Sequence, residues 1–578
     1  AGLADGGVFI IQSDITPAAL WESLPGSARR TIVDRGIKVF ALDAFKIASE
    51  EASDVELRYR MQGAAFLGAF FAASPLLARE GKNEVQLFEG IQKQLTKKFG
   101  RLGTHVVDDN LRVIRRGFAA AHEVPYGAVP DDVASERAVP ELPRRLEAAN
   151  AEGGLANTGR FWEQVCVTCK TGQDPIADPF AAISAMPAAT SVVRDMTDVR
   201  FEIPEFIPEN CTGCAQCWTQ CPDAAIPALV SDVEDLLAAA VAEAADGQPL
   251  ERMRQVLKPL GKEVRRLIKA GPMPHFGETL GAAYVNIAEK LKLEPKPRAV
   301  LDAEFARMQQ WLATFPVAKT GPFFDNPERK LAGSGGLLSI VINPEACKGC
   351  NLCVEVCPDG ALVTVKQDEA NVARLRRDWR LWQRLPDTDD RFVNVSNVDE
   401  AIGVLPMLLL KKQTYRSMAG GDGACMGCGE KTAVHLVVSA IYAMMEPRAR
   451  RHVAELDALI AKLDLMARTM VAADADLDAA SRGAVEIALD VPQRRRLDAI
   501  TRTLRELKDL RWRYVEGPAG HGRAMVGMTN STGCSSVWGS TYPYNPYPFP
   551  WVNHLFQDAP SVAVGVFEGH MRKMGDGF

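Results

Sequence analysis

The amino-acid sequence predicts a multidomain α/β protein. It would comprise a small α/β domain, an α+β domain built around metal clusters and split by a helical insert, and part of a further α/β domain split by a helical hairpin. Three observations lead there. At 578 residues the chain is too long for a single hydrophobic core. Short β-branched runs alternate with helical stretches near its start. The 13 cysteines are odd in number and fall largely in clusters two or three residues apart. That spacing is unlike a disulfide framework and suits metal coordination in a reducing cytoplasm.

Composition narrows the function classes. With 47% apolar and 24% charged residues the chain has the make-up of an ordinary globular protein. A net charge of −6 argues against nucleic acid as the main partner, which would require a basic footprint. There is no uninterrupted apolar run of about 18 residues, so no membrane span is expected. The start, "AGLADGGVFIIQSD", has neither an initiator Met nor a signal-peptide pattern and reads as a chain entered partway through.

In residues 1–125, "VFIIQSD" (8–14) and "IKVFALDA" (37–44) predict strands, with a helix opening at Pro17 between them. "ELRYRMQGAAFLGAFFAAS" (56–74) and "NEVQLFEGIQKQLTKKFG" (83–100) predict helices, and the alternation predicts a parallel sheet. No GxGxxG follows a strand, so no dinucleotide site is expected. Residues 126–205 are rich in Pro, Ala and Gly and predict a linker region with some docked structure. It carries Cys166 and Cys169, read first as a structural pair of thiols and second as ligands completed by a neighbouring chain.

Residues 206–370 hold the strongest signal. "CTGCAQCWTQCP" (211–222) and "CKGCNLCVEVCP" (347–358) each follow C-x2-C-x2-C-x3-C-P. Three thiolates at that spacing wrap one iron–sulfur cubane while the fourth, before Pro, turns to the partner cluster. One [4Fe-4S] cluster would therefore take Cys211, Cys214, Cys217 and Cys357, and the other Cys347, Cys350, Cys353 and Cys221. Zinc would use two Cys-x-x-Cys pairs and leave the remaining cysteines idle. The fold expected is a two-cluster ferredoxin-like α+β domain, a wire for single electrons. A helical insert at 230–335 separates the motifs and must leave and return at one place, at modest loop-closure cost.

Residues 371–578 contain "GDGACMGCGE" (421–430), with Cys425, Cys428 and Glu430, and "NSTGCSSVWGSTYPYNPYPFPWVNHLFQD" (530–558), with Cys534 among small and aromatic residues that predict an apolar shell. On spacing alone Glu430 reads as an acid at the start of the helix through "KTAVHLVVSAIYAMM". Between these motifs, Val453, Leu456, Ile460, Leu463, Ala467 and Met470 keep a three-four spacing, as do Leu497, Ile500, Leu504 and Leu507. They predict an antiparallel helical hairpin over 447–512. Its acidic tip, "DADLD" (474–478), reads as a solvated turn, since it lacks the Gly and terminal Glu of a calcium loop.

Taken in order, the two cysteine motifs, "ACMGCGE" and "TGCSSVWG" resemble the pyruvate:ferredoxin (flavodoxin) oxidoreductases of the 2-oxoacid:acceptor oxidoreductase family. "ALDAFKIASE" and "RMQGAAFLGAFF" resemble that family's third domain. The two inserts and the Cys166 region fall outside the likeness. The resemblance implies a third cubane, proximal to thiamine diphosphate, with Cys425, Cys428 and Cys534 as three ligands and the fourth not in this chain. It implies Glu430 as the catalytic acid that approaches the thiamine, Cys534 beside the same cofactor, and residues 371–578 as the N-terminal part of a thiamine-binding α/β domain. Coenzyme A would be a substrate touching Asn110, for which a plain loop cap is the other reading; a second family asparagine appears here as Arg58. Mg2+ would hold the diphosphate, but not through Asp576 of "GDGF" (575–578), because "EGHMRKM" separates it from the apolar strand expected at "SVAVGVF" (561–567). The implied activity is oxidative decarboxylation of a 2-oxoacid, taken as pyruvate, with ferredoxin or flavodoxin as acceptor. The remaining portions of the enzyme and further copies of the chain would be partners.

Overall fold

The computed structural model describes residues 3–53, 61–129, 158–167, 182, 185–186, 190–273, 275–393, 402–416, 425–473, 490–517, 522–539, 544–554 and 558–577. The described chain is mixed α/β, mostly helical with four small sheets, and divides into two compact units, Ala1–Val139 and Pro140–Phe578. No described helix is long and apolar enough to cross a membrane.

In the first unit β1 (Val8–Gln12) runs parallel to β2 (Lys38–Leu42), with Phe9 opposite Val39. The helix Pro17–Ser23 between them starts where expected, capped by Thr16, whose hydroxyl accepts from the Ala19 N–H at 3.4 Å. The sheet is not all parallel: β3 (His122–Val124) lies antiparallel on β2. It begins one residue after the helix Thr104–Ala120, so the end of that helix, not a crossover, sets its direction. The helix Glu84–Phe99 opens with a reciprocal capping box between Asn83 and Gln86. Helices Gln62–Ala73 and Thr104–Ala120 cross backbone to backbone at Gly68 and Gly117, where an added methyl would run into the Ile114 carbonyl and into Ala65 respectively.

The second unit is built around two antiparallel strand pairs. β5 (Glu202–Phe206) pairs with β9 (Leu362–Lys366), and β6 (Ala228–Ser231) with β8 (Leu337–Ile340). The insert leaves at β6 as the helices Val233–Ala245, Glu251–Ala270, Phe276–Lys290 and Pro295–Leu312. It returns through β7 (Val317–Ala318), which lies on the other edge of β8. The insert thus leaves and returns at one sheet, as its closure requires. Leu236, Leu260, Leu280 and Met308 are fully buried between its helices, in a core that continues outside the insert to Trp382, Tyr415 and Trp551. The helix Glu369–Arg384 packs against it and holds the buried carboxylate of Glu243 through Arg380 at 2.6 Å and Arg384 at 2.5 Å.

The hairpin is present, with one difference. Its first helix runs unbroken from Gly429 to Ala473 through Pro447, so it continues the helix of the "CMGCGE" motif instead of starting anew. The return helix is Val491–Val515. Leu456 and Ile500 are buried in the seam and the other stripe residues are half-buried, as the spacing predicts. The "DADLD" tip lies outside the described residues.

Beyond the hairpin, β10 (Met528–Ser531) runs parallel to β11 (Trp551–His554), and β4 (Ala185–Met186) of the linker region adds to β11 antiparallel. Thr190 accepts from the Asn545 N–H at 2.7 Å, so part of 126–205 docks here. Trp551 stacks on Tyr547 with ring centres 5.1 Å apart, beside Trp538 and Phe549. The strand expected at "SVAVGVF" is instead part of the helix Ala559–Gly577. Without sheet partners an extended segment would leave its peptide groups unpaired, whereas a helix satisfies them internally. Val564, Val566 and Phe567 point to solvent, and Asp576 is exposed in the same helix. Cys166 is buried in an apolar cluster with Phe161, Trp162 and Val165, while Cys169 lies outside the described residues.

Candidate iron–sulfur site

The two cysteine motifs adopt the same backbone twice. β5 leads into Cys211 and β8 into Cys347. Each loop then passes through two left-handed residues, Gly213 and Ala215 in one and Gly349 and Asn351 in the other. A short helix follows, Gln216–Gln220 or Leu352–Glu355, and a third left-handed residue, Ala224 or Gly360, lies just past each Cys-Pro. Left-handed turns wind the backbone around a centre, so that the cysteines and N–H groups face inward.

Between the repeats lie two small cavities of about 20 Å³ each. Cys211, Cys214, Cys217 and Cys357 line the first, and Cys221, Cys347, Cys350 and Cys353 line the second. These are the crossed sets that the spacing predicts. Backbone N–H groups are aimed at the sulfurs: Ala361 donates to Cys357 Sγ at 3.2 Å, Ala225 to Cys221 Sγ at 3.3 Å and Gly349 to Cys347 Sγ at 3.4 Å.

Burial pushes the Cys211 thiol up to about 12 and Cys347 to about 11, with the neighbouring thiols of each set adding to the rise. Cys217, Cys221 and Cys353 are also raised, by burial first. Four such sulfurs carry negative charge together only when iron neutralises them. Among the described residues, no three His, Cys, Asp or Glu side chains converge as they would on a single ion. Quartets of thiols surrounding a cavity, rather than meeting at a point, fit a four-iron cluster.

The remaining predicted residues are placed differently. Cys425 and Cys534 are exposed and Cys428 is half-buried. Cys534 opens the short helix Cys534–Trp538 without the apolar shell expected for it, because Trp538, Tyr547 and Trp551 pack on each other beneath that helix. Glu430 is exposed in the first turn of Gly429–Ala473. The helix that carries it nevertheless docks beside the second cavity: Thr432 Oγ1 donates to the carbonyl of Gln220, the residue before Cys221, at 3.2 Å.

Sequence reasoning missed the charges beside that cavity. Asp223 is buried between Lys431, with which it forms a close ion pair, and Lys348, 3.7 Å away. A lysine directly after Glu430 in an apolar helix, and an Asp after each Cys-Pro, were the available signals.

In the first unit Asn110 is not a loop cap. It sits within the helix Thr104–Ala120 and donates to the Val106 carbonyl at 2.8 Å. Together with Gln94, Lys97 and Lys98 it lines an open cleft of about 580 Å³. Arg58 lies outside the described residues.

Comparison with known proteins adds two family matches. Residues 1–120 match the model for pyruvate ferredoxin/flavodoxin oxidoreductase, and residues 340–363 match that for a 4Fe-4S binding domain. A pyruvate-flavodoxin oxidoreductase of Rhodospirillum rubrum is 22% identical over 75% of this chain and 27% of its own length. The pyruvate:ferredoxin oxidoreductase of Moorella thermoacetica is 25% identical over 41% of this chain and 18% of its own, and a Klebsiella pneumoniae pyruvate-flavodoxin oxidoreductase 26% over 40% and 18%. The chain spans about a quarter of the length of the relatives that it matches most extensively. The resemblance carried by the motifs is thereby shown: this chain is similar, over three quarters of its length, to pyruvate-flavodoxin oxidoreductases.

Proposed function

We propose that this chain is the electron-transfer portion of an enzyme that oxidatively decarboxylates a 2-oxoacid, pyruvate by its relatives' names, with coenzyme A as acyl acceptor. Electrons would leave through three [4Fe-4S] clusters to ferredoxin or flavodoxin. The observation that carries this reading is the pair of cavities, each lined by four cysteines in crossed register. When bound, the clusters supply single-electron steps. The chain's part is to hold eight thiolates, aim N–H groups at them and keep solvent out.

Thiamine diphosphate, when bound, stabilises the carbanion left by loss of carbon dioxide. Glu430, next to the Cys425–Cys428 pair, is the residue we assign to it, and Cys425, Cys428 and Cys534 to the proximal cluster. The exposure of Cys425, Cys534 and Glu430 in this chain supports a site shared with the remaining portions of the enzyme. The Asn110 cleft supports the coenzyme A assignment, since Lys97 and Lys98 suit phosphates and the amide suits a polar tail.

A second reading, an iron–sulfur subunit of another oxidoreductase complex without thiamine chemistry, draws on the same exposure of Cys425 and Cys534. Thiamine analysis of the natural, complete protein decides between them. Stoichiometric thiamine supports the first, and its absence with full iron supports the second.

A further inference from the structure

The helical insert carries a charge pattern that the cysteine site does not use. On the helix Glu251–Ala270 the exposed residues Arg254, Lys258 and Lys262 recur every four positions and so share one face. Among the described residues none of these three side chains has an ion-pair partner. The carboxylates that bond this helix meet other donors: Glu234 meets Arg265 at 2.7 Å, Glu263 meets Arg266 at 2.7 Å, Glu328 meets Lys269 at 3.0 Å, and Glu304 accepts from the Met253 N–H at 2.7 Å. Glu251 lies on the same side but in the first turn, so the positive charge gathers from Arg254 onward. Like charges four apart oppose the helix that bears them, and the stripe stands on a chain whose net charge is −6. The end of this helix is tied to the first cysteine loop. Lys319 Nζ donates to the Ile268 and Gly271 carbonyls at 3.1 and 3.2 Å, and its neighbour Thr320 lies 3.3 Å from where a methyl on Gly213 would stand. Past the helix, His275 Nδ1 lies 2.9 Å from Glu209 Oε1, two residues before Cys211. From that end Lys262, Lys258 and Arg254 follow at about 12, 18 and 24 Å along the axis. The first cavity is also the more open: Cys211, Cys214 and Cys357 are half-buried, whereas Cys221, Cys347 and Cys353 of the second are buried.

We propose that this face is the landing surface for an acidic electron-acceptor protein, which rests on the Arg254–Lys258–Lys262 stripe and reaches the first cavity from there. The proposal rests on the reading that the cavities hold clusters whose electrons leave to a protein acceptor. One electron passes from a reduced cluster to the oxidised acceptor, and no bond is made or broken. A standard interface takes about 800 Å² from each partner, a patch about 30 Å across, which spans the stripe and the Cys211 loop together. Exposed cations steer an acidic partner during encounter and fix its register, and they act more on the association rate than on the final affinity.

The test is the rate at which an acidic flavodoxin, and separately an acidic ferredoxin, associates with the full chain at low salt, with iron analysed in the same samples. The double variant Lys258→Glu and Lys262→Glu should slow association about tenfold or more, and the pair Lys258→Arg and Lys262→Arg should keep the unaltered rate. The same change of charge on the hairpin, Arg495→Glu with Arg496→Glu, should alter the rate by less than about threefold, since exposed charges beyond a Debye length are screened. That comparison separates a local contact from overall charge. All four positions are exposed, so the variants should fold, as unchanged thermal unfolding will show. Equal slowing in the stripe and hairpin variants, no slowing in either, or no binding of either carrier by the unaltered chain overturns the proposal. A changed oligomeric state in the stripe variant also overturns it, by making the face a contact between copies, as does tighter binding of duplex DNA than of either carrier. Full iron with unaltered association in the stripe variant refutes the landing surface alone. Little iron in the unaltered chain, with carrier binding still lost in the stripe variant, refutes the cluster reading instead.

Discussion

Gly349 shows how one residue decides whether a cluster can be housed. Its φ is +70°, and a methyl group there would meet the Glu202 carbonyl oxygen of β5 at 2.5 Å. The left-handed conformation costs a side chain about 1–2 kcal/mol, and the clash is with backbone that cannot swing aside. Gly349→Ala should therefore empty the second cavity and lower bound iron from about eight to about four per chain. Gly213→Ala, which meets only the Thr320 side chain at 3.3 Å, should cost less iron. Asp378 makes a different prediction. Burial raises its carboxyl from the usual carboxylate range to about 7, against the lowering influence of Arg374 and Arg377. The folded state therefore holds a proton that the unfolded state releases, and stability falls as pH rises through about 7. Asp378→Asn should stabilise the protein at pH 8 and change little at pH 4, as thermal unfolding at both values will show. The two cysteine sets that line the cavities were legible in the sequence because they are written in short spacings. The Lys431–Asp223 pair was not, since its partners lie 208 residues apart and only the fold brings them together.

Among the elements, the helical hairpin and the glycine crossing separate what is ornament from what is frame. The hairpin seam of Leu456 and Ile500 buries itself and lies apart from the cluster cavities. Replacing residues 448–511 by a short Gly/Ser bridge should leave the resonance spectra of both ferredoxin-type clusters unchanged; loss of either would make the hairpin a support. The crossing at Gly68 and Gly117 should not tolerate change. Gly117→Leu would force apart the helices Gln62–Ala73 and Thr104–Ala120, and the first unit should lose several kcal/mol of stability by denaturant unfolding, as overpacking at a backbone contact does. The three-four stripe was readable because helical period survives in sequence. The segment 561–567 was misread as a strand because Val alternating with small residues marks either conformation, and the choice depends on whether a neighbouring strand is present. The antiparallel β3 escaped notice for a like reason, being three residues long with its direction fixed by the preceding helix.

At the scale of the whole molecule, the two cysteine-lined cavities are framed by strands that this chain itself supplies. Crossed ligation needs both strand pairs, β5 with β9 and β6 with β8, and both are complete within this chain. The interposed helices share one buried core with Trp382, Tyr415 and Trp551 from outside the insert. Cys425 and Cys534 are open to solvent, and three thiols leave a cubane one ligand short. Anaerobic reconstitution of this chain with iron and sulfide should accordingly yield about eight irons, two clusters of four. Full assembly of the proximal site should require the remaining portions of the enzyme and raise the count to about twelve. Cys534→Ala separates the sites further: it should leave the count near eight in the isolated chain but lower it from about twelve to about eight in the complete enzyme. A count of about twelve in the isolated chain would show that the three thiols find their fourth ligand unaided. A count of about eight in the complete enzyme would remove the proximal cluster from the wire.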